Sequence, residues 1–134
     1  MVLGKFVNKI MKKDKIAIIG LGYVGLPLAR LFATKYPVVG FDINTDRISE
    51  LMSGFDSTLE VDNETLQSVL IDENSNEIGL FCTNQLDKIK DCNYFIVTVP
   101  TPVDKNNRPI LTPLVKASET VGALLKKGDI VIYE

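Results

Sequence analysis

The feature that most constrains the fold is a glycine-rich segment, Gly20-Leu-Gly-Tyr-Val-Gly25, which lies between two stretches of different apolar periodicity. The stretch before it, Lys15–Gly20, is a continuous apolar run, typical of a strand buried on both faces of a parallel sheet. The stretch after it, Val24–Ala33, has apolar residues at helical spacing, and its Pro27 falls in the first turn, where proline is tolerated. The sequence therefore predicts a strand, a tight glycine turn and a helix in succession.

The rest of the chain continues this alternation. Further strands are predicted at Val38–Asp42, Leu80–Cys82, Tyr94–Val99 and Asp129–Tyr133, and further helices from Asn44 to Met52, from Asp62 or Asn63 to Asp72, from Asn84 to Ile89 and from Leu111 to Leu125. Asn44 and Asn84 are expected to act as the N-caps of their helices, and Gly54 is expected to end the helix that begins at Asn44. Regular alternation predicts an α/β fold, a doubly wound and mostly parallel sheet of the Rossmann type. We expect about five or six strands, with helices on both faces.

Length and composition restrict the classes of function. A chain of 134 residues fits one domain, which we place at residues 15–134, after a basic leader at residues 1–14. The formal net charge of -2 gives no reason to expect a nucleic-acid partner. The leader lacks the apolar run of a signal peptide, and no stretch is apolar for long enough to cross a membrane. We therefore expect a cytoplasmic protein without a membrane partner.

The two cysteines, Cys82 and Cys92, are predicted to be reduced and buried. They do not form a C-x-x-C pair, and the chain contains no histidine. We therefore expect no metal site. Neither cysteine has a plausible base beside it in the sequence, so no catalytic set is predicted.

The glycine segment predicts a dinucleotide site, because it follows a strand and opens a helix. Gly20 is expected to allow the tight turn, Gly22 to let a pyrophosphate approach the backbone, and Gly25 to let the helix pack closely on the strand. The free N–H groups at the start of the helix favour an anion there.

Asp42 ends the second predicted strand about 20 residues after Gly22, where a carboxylate is expected to accept hydrogen bonds from the adenosine ribose. The same charge repels a 2′-phosphate, so NAD is predicted rather than NADP. The alternative is that Asp42 is a turn or capping residue. Arg47 lies nearby, where it neutralises Asp42, stacks on adenine or belongs to a solvated helix face.

The segment Val99-Pro-Thr-Pro-Val103 follows the fourth strand. Ligands of open parallel sheets sit at the carboxyl ends of strands, where the strand order reverses. This loop is therefore expected to flank the nicotinamide half of the cofactor, with Thr101 offering a hydroxyl and the prolines holding the loop rigid. The alternative is a rigid connector without a ligand.

Several motifs in order resemble those of the UDP-glucose/GDP-mannose dehydrogenase family. They are Ile18–Pro27, the Asp42-x-Asn44-x-x-Arg47 pattern, Thr98-Val-Pro-Thr-Pro102 and Lys127–Glu134. The segments Thr58–Val61 and Thr101–Asp104 are more similar to the branch that oxidises UDP-N-acetylhexosamines than to the UDP-glucose branch. The resemblance covers nearly the whole chain from about Lys15.

The resemblance implies NAD contacts at Gly20, Gly22, Tyr23, Val24, Gly25, Asp42, Arg47, Val99, Thr101 and Pro102. For an intact enzyme it implies a homodimer that oxidises the C6 alcohol of a UDP-sugar to a uronic acid for polysaccharide biosynthesis, through a thiohemiacetal on a cysteine. Cys82 and Cys92 do not match that cysteine, and the family's Ser-Thr-Val-x-Pro-Gly motif, which supplies a catalytic threonine, does not occur in this sequence. We therefore expect this chain alone to bind NAD without catalysing the oxidation.

Two other classes share the glycine turn. One is an NAD(H)-sensing regulatory module of a transporter or channel, which needs no catalytic residues. The other is a dehydrogenase of the β-hydroxyacid type. The Thr-Pro loop and the Lys127–Glu134 segment favour the nucleotide-sugar dehydrogenase over both.

Overall fold

The computed structural model describes residues 13–134, so nearly all of the predicted basic leader lies outside the described residues. The elements in chain order are β1 (Ile16–Ile19), α1 (Gly25–Phe32), β2 (Pro37–Phe41), α2 (Thr45–Met52), α3 (Asn63–Val69), β3 (Gly79–Thr83), a 3₁₀ helix (Leu86–Lys88), β4 (Tyr94–Val97), α4 (Thr112–Leu124) and β5 (Ile130–Tyr133). In this part of the chain, no helix is both long enough and apolar enough to cross a membrane.

The five strands form one sheet in the order β3-β2-β1-β4-β5, and every neighbouring pair is parallel. The chain runs outward from β1 to β3 and then returns to place β4 on the other side of β1. The strand order therefore reverses between β1 and β4, and a crevice opens there at the carboxyl ends of the strands. Ile19 pairs with Phe41 on one side and Val97 on the other, so three strands end at the same level. The predicted doubly wound sheet is confirmed.

The sheet separates two apolar cores. Ile16 and Ile18 of β1 belong to one core, whereas Ala17 and Ile19 belong to the other, because successive side chains of a strand point to opposite faces. The first core includes buried residues of α1, α2 and α3, and the second includes Ala117 of α4. The continuous apolar run of β1 thus reflects burial on both faces, and helices cover both faces as predicted.

The predicted helix cap at Asn44 is confirmed, and Asp62 caps the next helix. The Asn44 side chain accepts hydrogen bonds from the N–H groups of Asp46 and Arg47 at the start of α2. The Asp62 carboxylate accepts one from the N–H of Thr65 at the start of α3. Gly54 follows the end of α2 with φ +87°, a conformation that favours glycine.

The predicted cap at Asn84 is wrong. The 3₁₀ helix begins after Gln85, without a side-chain cap. The hydroxyl of Thr83 instead accepts the hydrogen bond from the Gln85 N–H, at 3.0 Å. A short local turn at the end of β3 therefore takes the place of the predicted helix start.

Two elements are shorter than the sequence predicted. Helix α3 ends at Val69 rather than Asp72, because Leu70 turns to an extended conformation and forms a bridge to Leu80 of β3. Strand β4 ends at Val97 rather than Val99. The N–H of Thr98 still donates to Ile19, but β1 turns away at Gly20 and leaves the following residues without a partner strand.

Candidate functional site

The glycine turn follows β1 at the edge of the crevice. Gly20 has φ +100°, a region that side-chain-bearing residues rarely adopt, and its N–H donates to Phe41 at 2.8 Å. A Cβ on Gly25 would lie 1.7 Å from the carbonyl oxygen of Gly20. The roles predicted for these two glycines, a tight turn and close packing of the helix on the strand, are therefore confirmed.

Gly22 has a different environment. A Cβ built on it would meet nothing within 4 Å, and its conformation is one that other residues adopt. Packing within the described chain therefore gives no reason for glycine at this position. Open space beside a backbone at the start of a helix is the condition under which a pyrophosphate can approach.

Leu21 anchors the turn in the core. Its side chain is fully buried, and it occupies the place where a side chain on Gly40 of β2 would lie, since a Cβ there would be 2.9 Å from the Leu21 methyl groups. Sequence reasoning missed this pairing. Its only signal was a glycine inside an otherwise apolar strand, which often marks a close approach of another group.

Asp42 stands at the carboxyl end of β2 with its carboxylate beside the turn. Its Oδ2 accepts a hydrogen bond from the Leu21 N–H and its Oδ1 accepts one from the Asn44 N–H, both at 2.9 Å. The carboxylate thus shapes the turn, as the alternative interpretation held. An ionised carboxylate has about four acceptor positions, so each oxygen keeps capacity for a ribose hydroxyl.

Arg47 is buried, with 9% of its side chain exposed, so the interpretation as a solvated helix face is wrong. Its Nε donates to the carbonyl oxygen of Leu21 at 2.8 Å, and its Nη1 forms ion pairs with Glu50 at 2.7 Å and Asp56 at 2.8 Å. Its Nη2 is buried and has no hydrogen-bond partner among the residues that the structure describes. Arg47 therefore fixes the glycine turn through the Leu21 carbonyl, and its Nη2 remains available as a hydrogen-bond donor.

Burial lowers the pKa of Arg47, but the hydrogen bonds and charges of Glu50 and Asp56 outweigh this effect and raise it. The guanidinium therefore keeps its charge at neutral pH. Desolvation raises the pKa of the Asp56 carboxyl, but hydrogen bonds from Thr58, Val61 and Arg47 outweigh it and lower the pKa to about 2. The pair is thus fully ionised at neutral pH.

Thr98 links β4 to the glycine turn. Its hydroxyl lies 2.7 Å from the carbonyl oxygen of Gly20 and 3.2 Å from that of Ile19, and its side chain is buried. It also contacts the place where a Gly25 side chain would lie, at 2.5 Å. Thr98 begins one of the motifs that resemble the family, but no role could be predicted for it from the sequence. A lone hydroxyl residue at the end of an apolar strand was the available signal.

The remaining predicted contacts lie around the same crevice. Tyr23 and Val24 are exposed on the outer side of the turn, and Val99 is half-buried after β4. Thr101 and Pro102 are exposed in the loop that follows. Val99 also packs against the second core, whereas the other four positions are exposed and belong to neither core.

The loop after Pro102 is more ordered than a plain connector. Val103 and Pro109 form an antiparallel bridge, and Ile110 donates to the Pro102 carbonyl at 2.7 Å. The Asp104 carboxylate accepts hydrogen bonds from two backbone N–H groups of the enclosed turn. The predicted rigidity of this loop therefore comes from a small hairpin as well as from its prolines.

Both cysteines are free and buried, as predicted. Burial raises the pKa of Cys82 to about 12 and that of Cys92 to about 12. Since the thiolate is the reactive form, these side chains have the character of inert core residues.

The arrangement fits a dinucleotide on three counts. Gly22 leaves open space, Asp42 presents a carboxylate with spare acceptor capacity, and the start of α1 offers backbone N–H groups and a helix dipole. These features lie at the carboxyl ends of β1 and β2, and the loop after β4 follows the strand on the other side of β1.

Comparisons with known proteins agree with this geometry. Residues 14–134 match the family described as "UDP-glucose/GDP-mannose dehydrogenase family, NAD binding domain". The chain is 57% identical over 124 residues to a UDP-N-acetyl-D-glucosamine 6-dehydrogenase of Pseudomonas aeruginosa, a match that covers 92% of this chain and 28% of that protein. It is 53% identical over 120 residues to a UDP-N-acetyl-D-glucosamine 6-dehydrogenase of Salmonella typhi, covering 90% of this chain and 26% of that protein.

Solved structures give the same picture. The fold matches a UDP-D-ManNAc dehydrogenase from Pyrococcus horikoshii with a TM-score of 0.72 and 33% identity, over 90% of this chain and 28% of that one. It also matches a GDP-mannose dehydrogenase from Pseudomonas aeruginosa with a TM-score of 0.75, over 88% of this chain and 27% of that one; at 22% identity this likeness concerns the fold alone. The chain spans little more than a quarter of the length of these proteins.

Proposed function

The chain belongs to the UDP-glucose/GDP-mannose dehydrogenase family as its NAD-binding domain, and on that premise we propose that it holds NAD across the glycine turn with the adenosine ribose on Asp42. NAD as the cofactor is confirmed by the family match. The same match gives no support to the alternative of a regulatory NAD(H)-sensing module.

The observation that carries the proposed pose is the contrast among the glycines. The fold itself explains why positions 20 and 25 are glycine. At Gly22 a side chain would face open space, so the fold does not explain why that position is glycine. A ligand that approaches the backbone at Gly22 supplies the missing reason. From there the adenosine reaches Asp42, and the nicotinamide extends towards Val99, Thr101 and Pro102.

The pose is tested by calorimetric titration of NAD into the chain and two variants. Asp42→Ala should weaken NAD binding by about 1–3 kcal/mol, or roughly 5- to 150-fold in Kd, because charge-assisted hydrogen bonds to the ribose are lost. Gly22→Val should abolish binding by filling the space that the pyrophosphate needs, while the protein stays folded.

Asp46→Ala is the matched control, because it removes an exposed carboxylate from the first turn of α2. It should leave the affinity within about twofold. If Asp42→Ala binds NAD with unchanged affinity, the adenosine does not lie on Asp42. If Gly22→Val still binds NAD, the pyrophosphate does not lie against the glycine turn. Wild-type protein should also prefer NAD to NADP, since the carboxylate repels a 2′-phosphate.

For the intact protein we propose a cytoplasmic, homodimeric 6-dehydrogenase of a UDP-N-acetylhexosamine that serves polysaccharide biosynthesis. The names and identities of the two bacterial relatives support the substrate class. The division into a leader at 1–14 and a cofactor domain at 15–134 belongs to the same proposal. No catalytic residue is assigned within the described chain.

The test is to assay NADH formation from UDP-N-acetylglucosamine, UDP-N-acetylmannosamine and UDP-glucose. The 134-residue chain should form none with any of them, whereas the complete open reading frame should favour an N-acetylated sugar. A preference for UDP-glucose would overturn the substrate class. NADH production by the short chain would overturn the division between cofactor binding and catalysis.

A further inference from the structure

The segment between α2 and α3 holds a carboxylate that lies away from the strand ends. The side chain of Asp56 is fully buried, although the loop around it lies at the surface. Its Oδ1 accepts hydrogen bonds from Arg47 and from the N–H and hydroxyl of Thr58, at 2.8, 2.9 and 2.6 Å. Its Oδ2 accepts from the N–H groups of Glu60 and Val61, both at 3.0 Å. Every acceptor position of this carboxylate is in use, so it is held rigidly.

Arg47 connects this carboxylate to the glycine turn. The Nη1 of Arg47 is held by Asp56 and Glu50, and this fixes the plane of the guanidinium. The Nε in the same plane donates to the carbonyl oxygen of Leu21 at 2.8 Å. Since a guanidinium is rigid and planar, holding one nitrogen determines where the other points.

The peptide between Leu21 and Gly22 is therefore held on the side of its carbonyl oxygen. The preceding peptide is held as well, because the Leu21 N–H donates to Asp42. The described chain contains no cis peptide bond, and in a trans peptide the carbonyl oxygen and the following N–H point in opposite directions. With the Leu21 oxygen directed at Arg47, the Gly22 N–H is directed away from it. Within residues 13–134 that N–H has no hydrogen-bond acceptor.

We propose that Asp56 is a positioning residue for the cofactor: through Arg47 it holds the Leu21–Gly22 peptide so that the Gly22 N–H faces the pyrophosphate. This inference rests on the proposed NAD pose. Glycines on both sides of Leu21 would otherwise let this peptide rotate, because glycine restricts its own backbone least. The Asp56–Arg47 pair prevents this rotation through the Leu21 carbonyl, and Asp56 itself does not touch the ligand.

The alternative is that Asp56 only ties down its own loop. The two roles differ in which ligands they affect. A loosened loop would leave the affinity for every ligand unchanged or lower all of them alike. A released Gly22 N–H would weaken ligands that contain a pyrophosphate and spare adenosine, which reaches only the Asp42 end of the site.

The experiment measures the Kd of NAD, ADP-ribose and adenosine by NMR titration, together with the Gly22 amide shift in the free protein. Asp56→Ala should raise the Kd of NAD and ADP-ribose about five- to tenfold, as expected when one hydrogen bond to a charged group is weakened rather than lost. It should move the Gly22 amide resonance and leave the Kd of adenosine within about twofold. Asp42→Ala should weaken the binding of adenosine and of NAD together, and this difference distinguishes the role of Asp42 from that of Asp56.

Asp62→Ala is the matched stability control. It removes the carboxylate that caps α3 from the same region, and that carboxylate makes no contact with Arg47. It should lower stability but leave the Gly22 amide and all three affinities unchanged. Asp56→Asn repeats the test if Asp56→Ala does not fold, because the amide keeps the side chain's size but offers one acceptor oxygen in place of two.

The inference is overturned if folded Asp56→Ala or Asp56→Asn binds NAD and ADP-ribose within twofold of the wild type with an unmoved Gly22 amide. It is also overturned if adenosine weakens as much as NAD. A wild-type chain that fails to bind NAD is a different result, because it refutes the proposed function itself.

Discussion

Replacing Gly25 by alanine should destabilise the protein, although the same substitution within a helix usually stabilises it. Inside a helix, alanine is ordinarily more stable than glycine by about 1 kcal/mol, and Gly25 is the first residue of α1 with no unusual φ. Here the added Cβ would lie 1.7 Å from the carbonyl oxygen of Gly20, whereas ordinary contact begins at 3.4 Å. Helix propensity and packing therefore predict opposite signs.

The magnitude follows from what has to move. The helix and the turn must separate by about 1.7 Å, and the atom in the way is backbone rather than a flexible side chain. Gly20 is in turn held by its hydrogen bond to Phe41 and by the hydroxyl of Thr98. Overpacking a core typically costs about 1–3 kcal/mol, and a displacement of this size belongs at the upper end. We expect a loss of about 3 kcal/mol, which corresponds to a fall in Tm of roughly 10 °C.

Urea unfolding of the free protein measures this loss, with Gly22→Ala as the matched control. The control adds the same methyl group three residues earlier, where it meets nothing within 4 Å, so its free energy of unfolding should stay within about 0.5 kcal/mol of the wild type. If Gly25→Ala unfolds at the same urea concentration as the wild type, or a higher one, the close packing of α1 on the turn is refuted.

Two further predictions concern the residues around the turn. Thr98→Val should lower the free energy of unfolding by about 1–3 kcal/mol, because it removes the hydroxyl that bonds the Gly20 carbonyl; Thr101→Val, at an exposed position, should not, and equal effects would contradict the role of Thr98. Asp56 should contribute about 2 kcal/mol of stability that is complete above about pH 5 and is lost as pH falls towards 2, because its folded pKa of about 2 lies below the ordinary value of 3.8. Urea unfolding between pH 5 and pH 2 should show a shallower loss in Asp56→Asn than in the wild type, and parallel curves would contradict this.

Features that depend on neighbours in the chain could be predicted from the sequence. The strand–turn–helix order, the cap at Asn44 and the turn at Gly54 each follow from a few adjacent residues. The structural roles of Gly20 and Gly25 also followed, because the spacing of the motif implies the geometry. The placement of Asp42 at a strand end required only a strand boundary that was accurate to one residue.

Features that depend on residues far apart in the chain could not be predicted. The burial of Arg47 depends on Asp56, which reaches back from the next loop, and an isolated helix pattern leaves its exposure open. Leu21, in the turn after β1, fits against Gly40 of β2, and the glycine within that apolar strand does not by itself identify the side chain that packs on it. Asn84 failed as a cap because Thr83, one residue earlier, supplied a competing hydroxyl. For Arg47 and Leu21 a tertiary contact decided between conformations that the local sequence allows equally, whereas at Asn84 a neighbouring side chain decided.

The unequal burial of the three residues between the glycines has a consequence for redesigning the cofactor preference. Leu21 is enclosed by the core, whereas Tyr23 and Val24 are exposed. A library that randomises all three positions would therefore lose most of its members to misfolding at position 21. Varying positions 23 and 24 together with the residues after Asp42 leaves the scaffold intact. Between the glycines of the motif, position 21 is therefore fixed by the core, whereas positions 23 and 24 can be varied.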